Sequence, residues 1–270
     1  LLGKVVFVSD RAGSADVWVM DTDGSDATRL TDDPAVEGGP EVSPDGTRIA
    51  FWSARTGDQE LYTMAADGSD LKRRTVNSGQ DSGPAWSPEG GRIAFISSRG
   101  GTQSVYIGHL ANDSLAQLTP DAAQELTVDW APDGTRLVYN SDGGGALSLY
   151  TVAPDGSELR SVPNTDQAQS YTPAWGPGNS GIAFSAGSSG DFDLVTIAPD
   201  GTERTVIHDT DGAELRPAWS PDGDRLVFES DRDGNSEIYS LAADGTDLVR
   251  LTDNGSDDAA ASYTPPPDGS

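Results

Sequence analysis

Acidic residues recur at one place of a repeating sequence pattern, three residues before a proline or its equivalent. The acids are Glu37, Asp81, Glu125 and Glu214, and Ser170 occupies the same place in another copy. Converging carboxylates bind hard cations, calcium among them, through their oxygens. The spacing therefore predicts a set of ligand-binding side chains, with Glu125, Glu37 and Asp81 as the candidate metal ligands.

Arginines in a second column provide a structural alternative for the same acids. Three of the acids have an arginine in the loop that follows the next strand of their copy, and these arginines are Arg55, Arg99 and Arg232. Glu125 instead faces Gly143. The match favours structural ion pairs, because acid and arginine occur together; a ligand site in which the arginines also take part is the alternative. Glu125 is then the carboxylate without a partner and the best single candidate for ligand contact.

Few other side chains offer chemistry. The sequence has two histidines, His109 and His208, and no cysteine, so disulfides and thiolate chemistry are excluded. The histidines fall in different copies of the repeat, away from the acidic column, which argues against a catalytic histidine pair. Residues 231–235 place oxygens at alternate positions, but their glycine is misplaced for a calcium loop, and a hairpin turn is predicted instead.

These side chains are positioned by a repeat of about 44 residues that occurs six times. The proline of its Ser-Pro-Asp-Gly turn recurs at Pro44, Pro88, Pro132, Pro177, Pro221 and Pro267. The aromatic residue of the following strand keeps step as Phe7, Phe51, Phe95, Tyr139, Phe184 and Phe228. Each copy has four short strand signals separated by turn residues, and four such strands make one blade of a ring. The predicted fold is all-β, a six-bladed β-propeller of four-stranded antiparallel blades.

The two ends of the chain are predicted to complete one blade together. Residues 1–37 supply three strands of a blade that lacks its first strand. The C-terminal residues 263–270, and in particular Thr264–Gly269, resemble that strand and its turn. We therefore expect residues 1–270 to form a single propeller domain whose first blade is closed by the C-terminal strand. The prolines of this segment cannot donate to a ladder, so the seam is expected to be weak.

The repeat is similar to that of a known family. Residues 217–252 read Pro-Ala-Trp-Ser-Pro-Asp-Gly, then Arg-Leu-Val-Phe, Ser-x-Arg, Ile-Tyr, Asp-Gly and Leu-Thr. This pattern resembles the TolB-type, WD40-like propeller repeat, as found in the TolB C-terminal propeller and in related secreted bacterial propellers. The resemblance spans essentially the whole chain and implies the fold and an extracytoplasmic location, whether periplasmic, cell-surface or secreted. It does not imply one activity, because one propeller scaffold hosts many functions.

Charge and composition restrict the partners. The formal net charge is −27, which repels nucleic acids and anionic lipid, and no apolar run is long enough for a membrane span. We predict a non-catalytic binding or scaffold module, monomeric unless it joins a larger assembly. Its loop face, the side of the ring where the acids lie, is expected to receive a protein partner or a small ligand. No cofactor is required in this interpretation, and calcium at the channel mouth is the one candidate ion.

Two alternatives stay open at this point. In the first alternative, the chain is a carbohydrate-active enzyme, a lyase or hydrolase with its site at the channel mouth. In the second, it is the non-catalytic propeller of a larger protein. An enzyme would have to replace the missing histidines with a metal ion or with a tyrosine and arginine pair.

Overall fold

A computed structural model describes residues 3–179 and 181–265. Within these ranges the chain forms six antiparallel sheets of four strands each. The sheets are the blades of a ring, and the C-terminal strand joins the sheet that contains the first three strands. The all-β, six-bladed propeller is therefore confirmed, and so is the closure of its first blade by the C-terminal strand.

The strands are numbered in chain order. The first seven are β1 (Lys4–Ser9), β2 (Asp16–Asp21), β3 (Thr28–Arg29), β4 (Glu37–Val42), β5 (Arg48–Ser53), β6 (Glu60–Ala65) and β7 (Lys72–Arg73). The next eight are β8 (Asp81–Trp86), β9 (Arg92–Ser97), β10 (Ser104–His109), β11 (Leu115–Gln117), β12 (Glu125–Trp130), β13 (Leu137–Ser141), β14 (Ser148–Val152) and β15 (Arg160–Ser161). The last nine are β16 (Gln169–Trp175), β17 (Ile182–Ser188), β18 (Asp191–Ile197), β19 (Thr205–His208), β20 (Glu214–Trp219), β21 (Arg225–Ser230), β22 (Glu237–Ala242), β23 (Val249–Arg250) and β24 (Asp258–Tyr263).

Each blade presents one strand to the axis of the ring. Blade 1 consists of β24 and β1 to β3, and blades 2 to 6 consist of four consecutive strands each, starting with β4, β8, β12, β16 and β20. These starting strands, together with β24, are the innermost strands and line the central channel. A short 3-10 turn, Pro177–Asn179, is the only helical element in the described ranges, and no helix there is long and apolar enough to cross a membrane.

The hydrophobic core lies between the blades. The aromatic residues of the second strands include the largest fully buried side chains, and these are Phe7, Phe51, Phe95, Phe184 and Phe228. Valines of blade 1 pack against Ile49 and Phe51 of blade 2, and equivalent clusters join other neighbouring blades. A single four-stranded blade cannot bury its own two faces, so neighbouring blades bury each other's faces in the ring.

Tryptophans at the ends of the innermost strands join neighbouring blades. The indole of Trp86 donates to the backbone oxygen of Glu41 in the preceding blade at 3.1 Å, and Trp130 donates to Ala85 at 3.2 Å. Both side chains are buried. These tryptophans therefore contribute to the packing between blades.

The closing strand lies earlier in the chain than the sequence predicted. β24 pairs with β1, and Thr264 exchanges hydrogen bonds with Lys4 just beyond the strand end. The segment Thr264–Gly269 was therefore the wrong choice for the strand, and its residues 266–269 lie outside the described part of the chain. The register gives the reason: Asp258 pairs with Ser9 in the same way as Glu37 pairs with Ser53 in blade 2, so the strand begins at Asp258.

Candidate functional site

The innermost strands surround a channel with a volume of about 760 Å³. Its wall is largely built from small and apolar residues, among them Pro84, Ala174 and Ala261. The loop face lies at the end of the channel where the innermost strands begin. It is formed by the loops before these strands and by the loops between the second and third strands, such as residues 54–59 of blade 2.

The predicted acids are buried at the start of the innermost strands, and three of them form ion pairs. The pairs are Glu37–Arg55, Asp81–Arg99 and Glu214–Arg232. The distance from guanidinium nitrogen to carboxylate oxygen is 2.7 Å in the second pair and 2.9 Å in the third. All three acids are at most 1% exposed. The structure therefore brings each predicted arginine to the acid of its own blade, so the predicted ion pairs form within single blades.

A fourth pair of the same kind was missed from the sequence. Asp258 at the start of β24 is fully buried and pairs with Arg11 of blade 1 at 2.6 Å. Arg11 follows Ser9 by two residues, as Arg55 follows Ser53, so the signal was present. The sequence prediction misses this pair because it places the closing strand within residues 263–270, after Asp258.

The arginines occupy a composite site that we call the arginine socket. In blade 2 it consists of Glu37, Ser53 and the stacked rings of Phe51 and Tyr62, and it holds Arg55. The arginine Nε donates to Ser53 Oγ at 3.0 Å, and the guanidinium carbon lies 5.0 Å from the centroid of the Tyr62 ring. A planar cation thus bonds along its edge and stacks on its face at the same time.

Blades 1, 3 and 6 repeat the arginine socket closely. Their Nε–Oγ distances are 2.8, 2.8 and 3.0 Å. Their guanidinium carbons lie 5.0, 4.9 and 4.7 Å from the ring of the third strand. Register explains the recurrence, because the acid and the serine face each other on adjacent strands in every one of these blades.

Blade 4 has the acid, the serine and the ring pair of the socket but lacks the arginine. Glu125 is 3% exposed and in register with Ser141, and the rings of Tyr139 and Tyr150 stack with centroids 5.8 Å apart. Gly143 occupies the position of the arginine. Glu125 is therefore a buried acid that faces a socket without a cation from its own blade.

Hydroxyl groups are the hydrogen-bond partners of Glu125, as they also are for the arginine-paired Glu214. Thr119 donates to Oε2 at 2.9 Å, and Ser141 donates to Oε1 at 3.4 Å. Burial raises the pKa of Glu125 to about 7, and the negative charges of Asp142 and Asp121 also raise it, whereas the two hydroxyl bonds lower it. The carboxyl group therefore changes its charge near neutral pH.

Blade 5 lacks the socket altogether. Ser170 stands at the place of the acid, pairs in register with Ala186 and donates its hydroxyl to the backbone oxygen of Thr165 at 2.8 Å. Beside it, Tyr171 and Phe192 meet edge to face with centroids 5.3 Å apart, and both are partly exposed. The loop face of blades 4 and 5 thus differs from that of the other four blades.

Two acids deeper in the channel were missed from the sequence. Glu41 and Asp129 line the channel, and each accepts a hydrogen bond from the backbone N–H of a tryptophan in the next blade, at 2.8 and 2.6 Å. Burial raises the pKa of Asp129 to about 6. Burial and, secondarily, the charge of Asp129 raise the pKa of Glu41 well above its usual range. In the other four blades the same position of the innermost strand is an alanine or a serine, so the two acids could have been noticed in the sequence as exceptions.

One arginine of the channel wall was also missed. Arg216 is bonded to both carboxylate oxygens of Glu229, at 2.7 and 2.9 Å, and its side chain is 52% exposed. Its backbone φ is +51°, in the left-handed region that side-chain-bearing residues rarely adopt. The strained backbone directs this cation towards the channel, where it is already neutralised by Glu229.

The histidines lie far from any common site. His109 is exposed at the end of β10, whereas His208 on β19 contacts Arg232 Nη2 at 3.0 Å. Burial and the neighbouring arginine lower the pKa of His208, which favours its neutral form. His208 therefore supports the blade 6 socket from blade 5, a contact that the sequence did not suggest.

The candidate calcium ligands are held in separate blades. Glu37 and Asp81 are paired with their arginines, and Glu125 is bonded to hydroxyl groups. In the described residues, no three histidine, cysteine, aspartate or glutamate side chains are close enough to hold a metal ion together.

The sequence matches the model of one protein family along nearly its whole length. The family is described as the TolB β-propeller domain, and the matches cover residues 3–83, 76–198 and 163–270. No curated protein sequence matches the chain.

Solved structures share the fold at low sequence identity. TolB from Acinetobacter baumannii superposes with a TM-score of 0.87 at 19% identity, over 97% of this chain and 67% of that one. A protein of Agrobacterium tumefaciens assigned as a TolB gives 0.78 at 18% identity, over 98% and 94%. An oligogalacturonate lyase from Vibrio parahaemolyticus gives 0.64 at 15% identity, over 94% and 75%. Likeness at these identities shows the fold alone.

Proposed function

Because the chain belongs to the TolB β-propeller domain family, we propose that it is a non-catalytic binding or scaffold module whose loop face receives a protein partner or a small ligand. The interruption of the repeat at blades 4 and 5 carries this proposal. Four blades hold an arginine in the same socket. Blade 4 instead has Glu125 without an arginine, and blade 5 has the partly exposed Tyr171–Phe192 pair; these departures from the repeat support a ligand site at this part of the loop face.

The charge of this sector favours a basic partner. Burial and the charges of Asp209 and Asp191 raise the pKa of Asp193, so these three carboxylates lie close together in blade 5. The net charge of the chain is −27. Complementary charge accelerates encounter and selects among partners, and exposed aromatic rings contribute apolar contact. A protein segment with basic and apolar side chains fits this surface.

Site-directed photo-crosslinking tests the loop face as the binding surface. A photoreactive residue at Tyr171 probes blade 5, and the same residue at Ser157, on the turn between β14 and β15, probes the opposite face. We expect one protein to be cross-linked from position 171 and not from position 157. The purified partner should then bind the unmodified chain and bind Tyr171→Ala more weakly in calorimetry. Equal cross-linking from both faces, or unchanged affinity of Tyr171→Ala, would contradict the proposal.

A carbohydrate-active enzyme is the second candidate. It is favoured by the fold likeness to an oligogalacturonate lyase and by Asp129, whose pKa of about 6 suits a general acid or base. Ultraviolet absorbance of unsaturated uronides, followed during incubation with oligogalacturonates, distinguishes the two candidates. We expect no product; turnover that is lost in Asp129→Asn would overturn the non-catalytic proposal.

The location, the oligomeric state and the calcium ion are also proposals. We propose an extracytoplasmic protein, monomeric unless it is part of a larger assembly, which cell fractionation and light scattering can check. A calcium ion at Glu125, with Glu37 and Asp81 as further ligands, stays a prediction. Since the latter two acids are paired with arginines, the affinity of such an ion would depend mainly on Glu125.

A further inference from the structure

The repeated arginine sockets provide an internal comparison for blade 4. Four blades hold a guanidinium group between a buried acid, a serine hydroxyl and an aromatic pair. We propose that the blade 4 socket, built from Glu125, Ser141, Tyr139 and Tyr150, binds the guanidinium group of an arginine side chain from a protein partner. This inference rests on the proposed function, because it names the chemistry by which the loop face recognises that partner.

The components of the socket are in place in blade 4. The rings of Tyr139 and Tyr150 are 5.8 Å apart with 25° between their planes, compared with 5.9 Å and 26° for the ring pair of blade 2. Ser141 faces Glu125 across the strand pair, in the register that the other sockets share. The acid, the serine hydroxyl and the ring faces are therefore all present, with one addition: Tyr139 stands where blade 2 has Phe51, and its hydroxyl group lies near Glu125.

The loop of blade 4 also follows the path of the loops that carry arginine. The N–H of Gly143 donates to Ser141 Oγ at 3.3 Å. In the other four sockets the N–H of the arginine donates to its serine at 3.3 to 3.4 Å. The loop backbone therefore makes the same contact in all five blades. Blade 4 lacks the guanidinium group because residue 143 is a glycine, and not because its loop takes another path.

The residues after Gly143 add no side chain to the socket, although Gly144 lies beside the hydroxyl group of Tyr150. Gly144 and Gly145 follow, so this part of the loop supplies no side chain to the ring pair. Tyr150 is partly exposed, whereas the tyrosines under the arginines of blades 2, 3 and 6 are only 3 to 6% exposed. Among the described residues, no arginine lies over the Tyr139–Tyr150 pair. Tyr150 is thus the partly exposed member of the socket, and Glu125, at 3% exposure, lies buried beside it.

A guanidinium group suits this site better than an ammonium group or a metal ion. Its planar fork can donate to Ser141 and Glu125 at once while its face stacks on Tyr150. An ammonium group is a compact point charge without that face. Calcium takes six or more oxygens and would need water for several of them, because Glu125, Thr119 and Ser141 offer only a few. The charges of Asp121 and Asp142, which raise the pKa of Glu125, also attract an incoming cation.

Titration with amino-acid amides tests the specificity of the socket on the full chain. N-acetyl-arginine amide is added at pH 7.5, and the Glu125 carboxyl and Tyr150 ring resonances are followed by NMR. We expect saturable shifts with a Kd on the order of millimolar, as for a single charged contact. N-acetyl-lysine amide should bind at least about tenfold more weakly, because it cannot stack and fork. Equal affinities of the two amides would overturn the assignment.

Two arginine substitutions on the loop face form a matched pair. Gly143→Arg restores the arginine in cis and should abolish binding of arginine amide and raise the Tm. Ser188→Arg adds the same charge in blade 5, where Ser170 replaces the acid, and should leave arginine amide binding unchanged. Arginine amide that binds Gly143→Arg as tightly as the unmodified chain would refute the socket.

A third variant covers the case in which the added arginine disturbs folding. Glu125→Gln keeps the shape of the socket and should weaken arginine amide binding at least about tenfold, since a charged hydrogen bond is lost. Retained affinity in this variant contradicts the proposal. If arginine amide fails to bind while the partner cross-linked at position 171 still binds, the socket is wrong and the proposed function stands.

Discussion

Blades 2 and 4 both have a buried glutamate, a facing serine and a stacked pair of aromatic rings, but in blade 4 Tyr139 replaces Phe51 and Gly143 replaces Arg55. Arg55 fills the socket of blade 2, with its guanidinium carbon 5.0 Å from the centroid of the Tyr62 ring. Gly143 leaves the socket of blade 4 to the hydroxyl groups of Thr119 and Ser141. Both blades nevertheless have four paired strands.

The comparison separates what the fold requires from what it tolerates. Strand pairing and the packing of aromatic residues between blades are retained in blade 4, so the arginine is not needed to form a blade. Without it, the carboxyl group of Glu125 has hydroxyl partners and no guanidinium partner, and burial raises its pKa to about 7. A buried acid without a counter-ion lowers the stability of the fold. Such an acid at the loop face is consistent with the proposal that Glu125 receives its counter-ion from a partner protein.

Removal of the closing strand has the largest expected effect, because blade 1 builds its socket from both ends of the chain. Deletion of residues 258–270 removes β24 and the Asp258–Arg11 pair together. Closure removes exposed sheet edges, and its loss should lower the Tm by more than about 5 °C. A truncation that ends after Pro265 keeps β24 and is the control. Equal Tm values for the two truncations in thermal unfolding would contradict the closure argument.

Neutralisation of a paired acid should cost more than neutralisation of the unpaired one. Glu214→Gln leaves Arg232 in blade 6 without its carboxylate, at a cost of about 1 to 3 kcal/mol. Glu125→Gln removes an acid that has no arginine, and we expect little or no loss. Chemical denaturation of both variants at pH 8 measures the difference. Similar losses of unfolding free energy in the two variants would show that pairing with an arginine does not make the acid more important for stability.

The pH dependence of stability should report the raised pKa of Glu125. Glu125 has a pKa of about 7 in the folded protein and an ordinary value of 4.5. The folded state thus binds this proton more tightly, so the contribution of Glu125 to stability is full below about pH 4.5 and is lost as the pH rises through about 7. Relative to the unmodified chain, Glu125→Gln should gain about 2 °C or more in Tm between pH 5 and pH 8. A difference that stays constant with pH would contradict the raised pKa.

The propeller could be predicted because its signals are local and repeat in step. Turn prolines and strand aromatics mark each copy, and the aromatics are the buried core of the structure. The position of the closing strand could not be read in the same way. Residues 258–263 carry no Pro-Ala-Trp pattern, and pairing with β1 is a contact between the two ends of the chain.

The loop-face acids could be predicted from columns, whereas the channel residues could not. Glu125 was identified because a matching arginine was missing from its own repeat. Glu41, Asp129 and Arg216 were missed because each innermost strand contains a register shift, between Gly38 and Glu41 in blade 2 for example. A bulge changes which side chains face the channel after it, and simple alternation along the strand does not show this.

Calcium should have the smallest effect, and it tests the blade 4 socket against a different cation. The chain has a net charge of −27, so any salt relieves self-repulsion and raises the Tm. A specific contribution requires oxygen ligands near Glu125, where the oxygens of Thr119 and Ser141 are at hand. We expect millimolar calcium to raise the Tm slightly more than sodium chloride of equal ionic strength, and the excess to disappear in Glu125→Gln and in Gly143→Arg. An excess that persists in both variants would place the ion elsewhere, and no excess in the unmodified chain would show that Glu125 does not bind calcium.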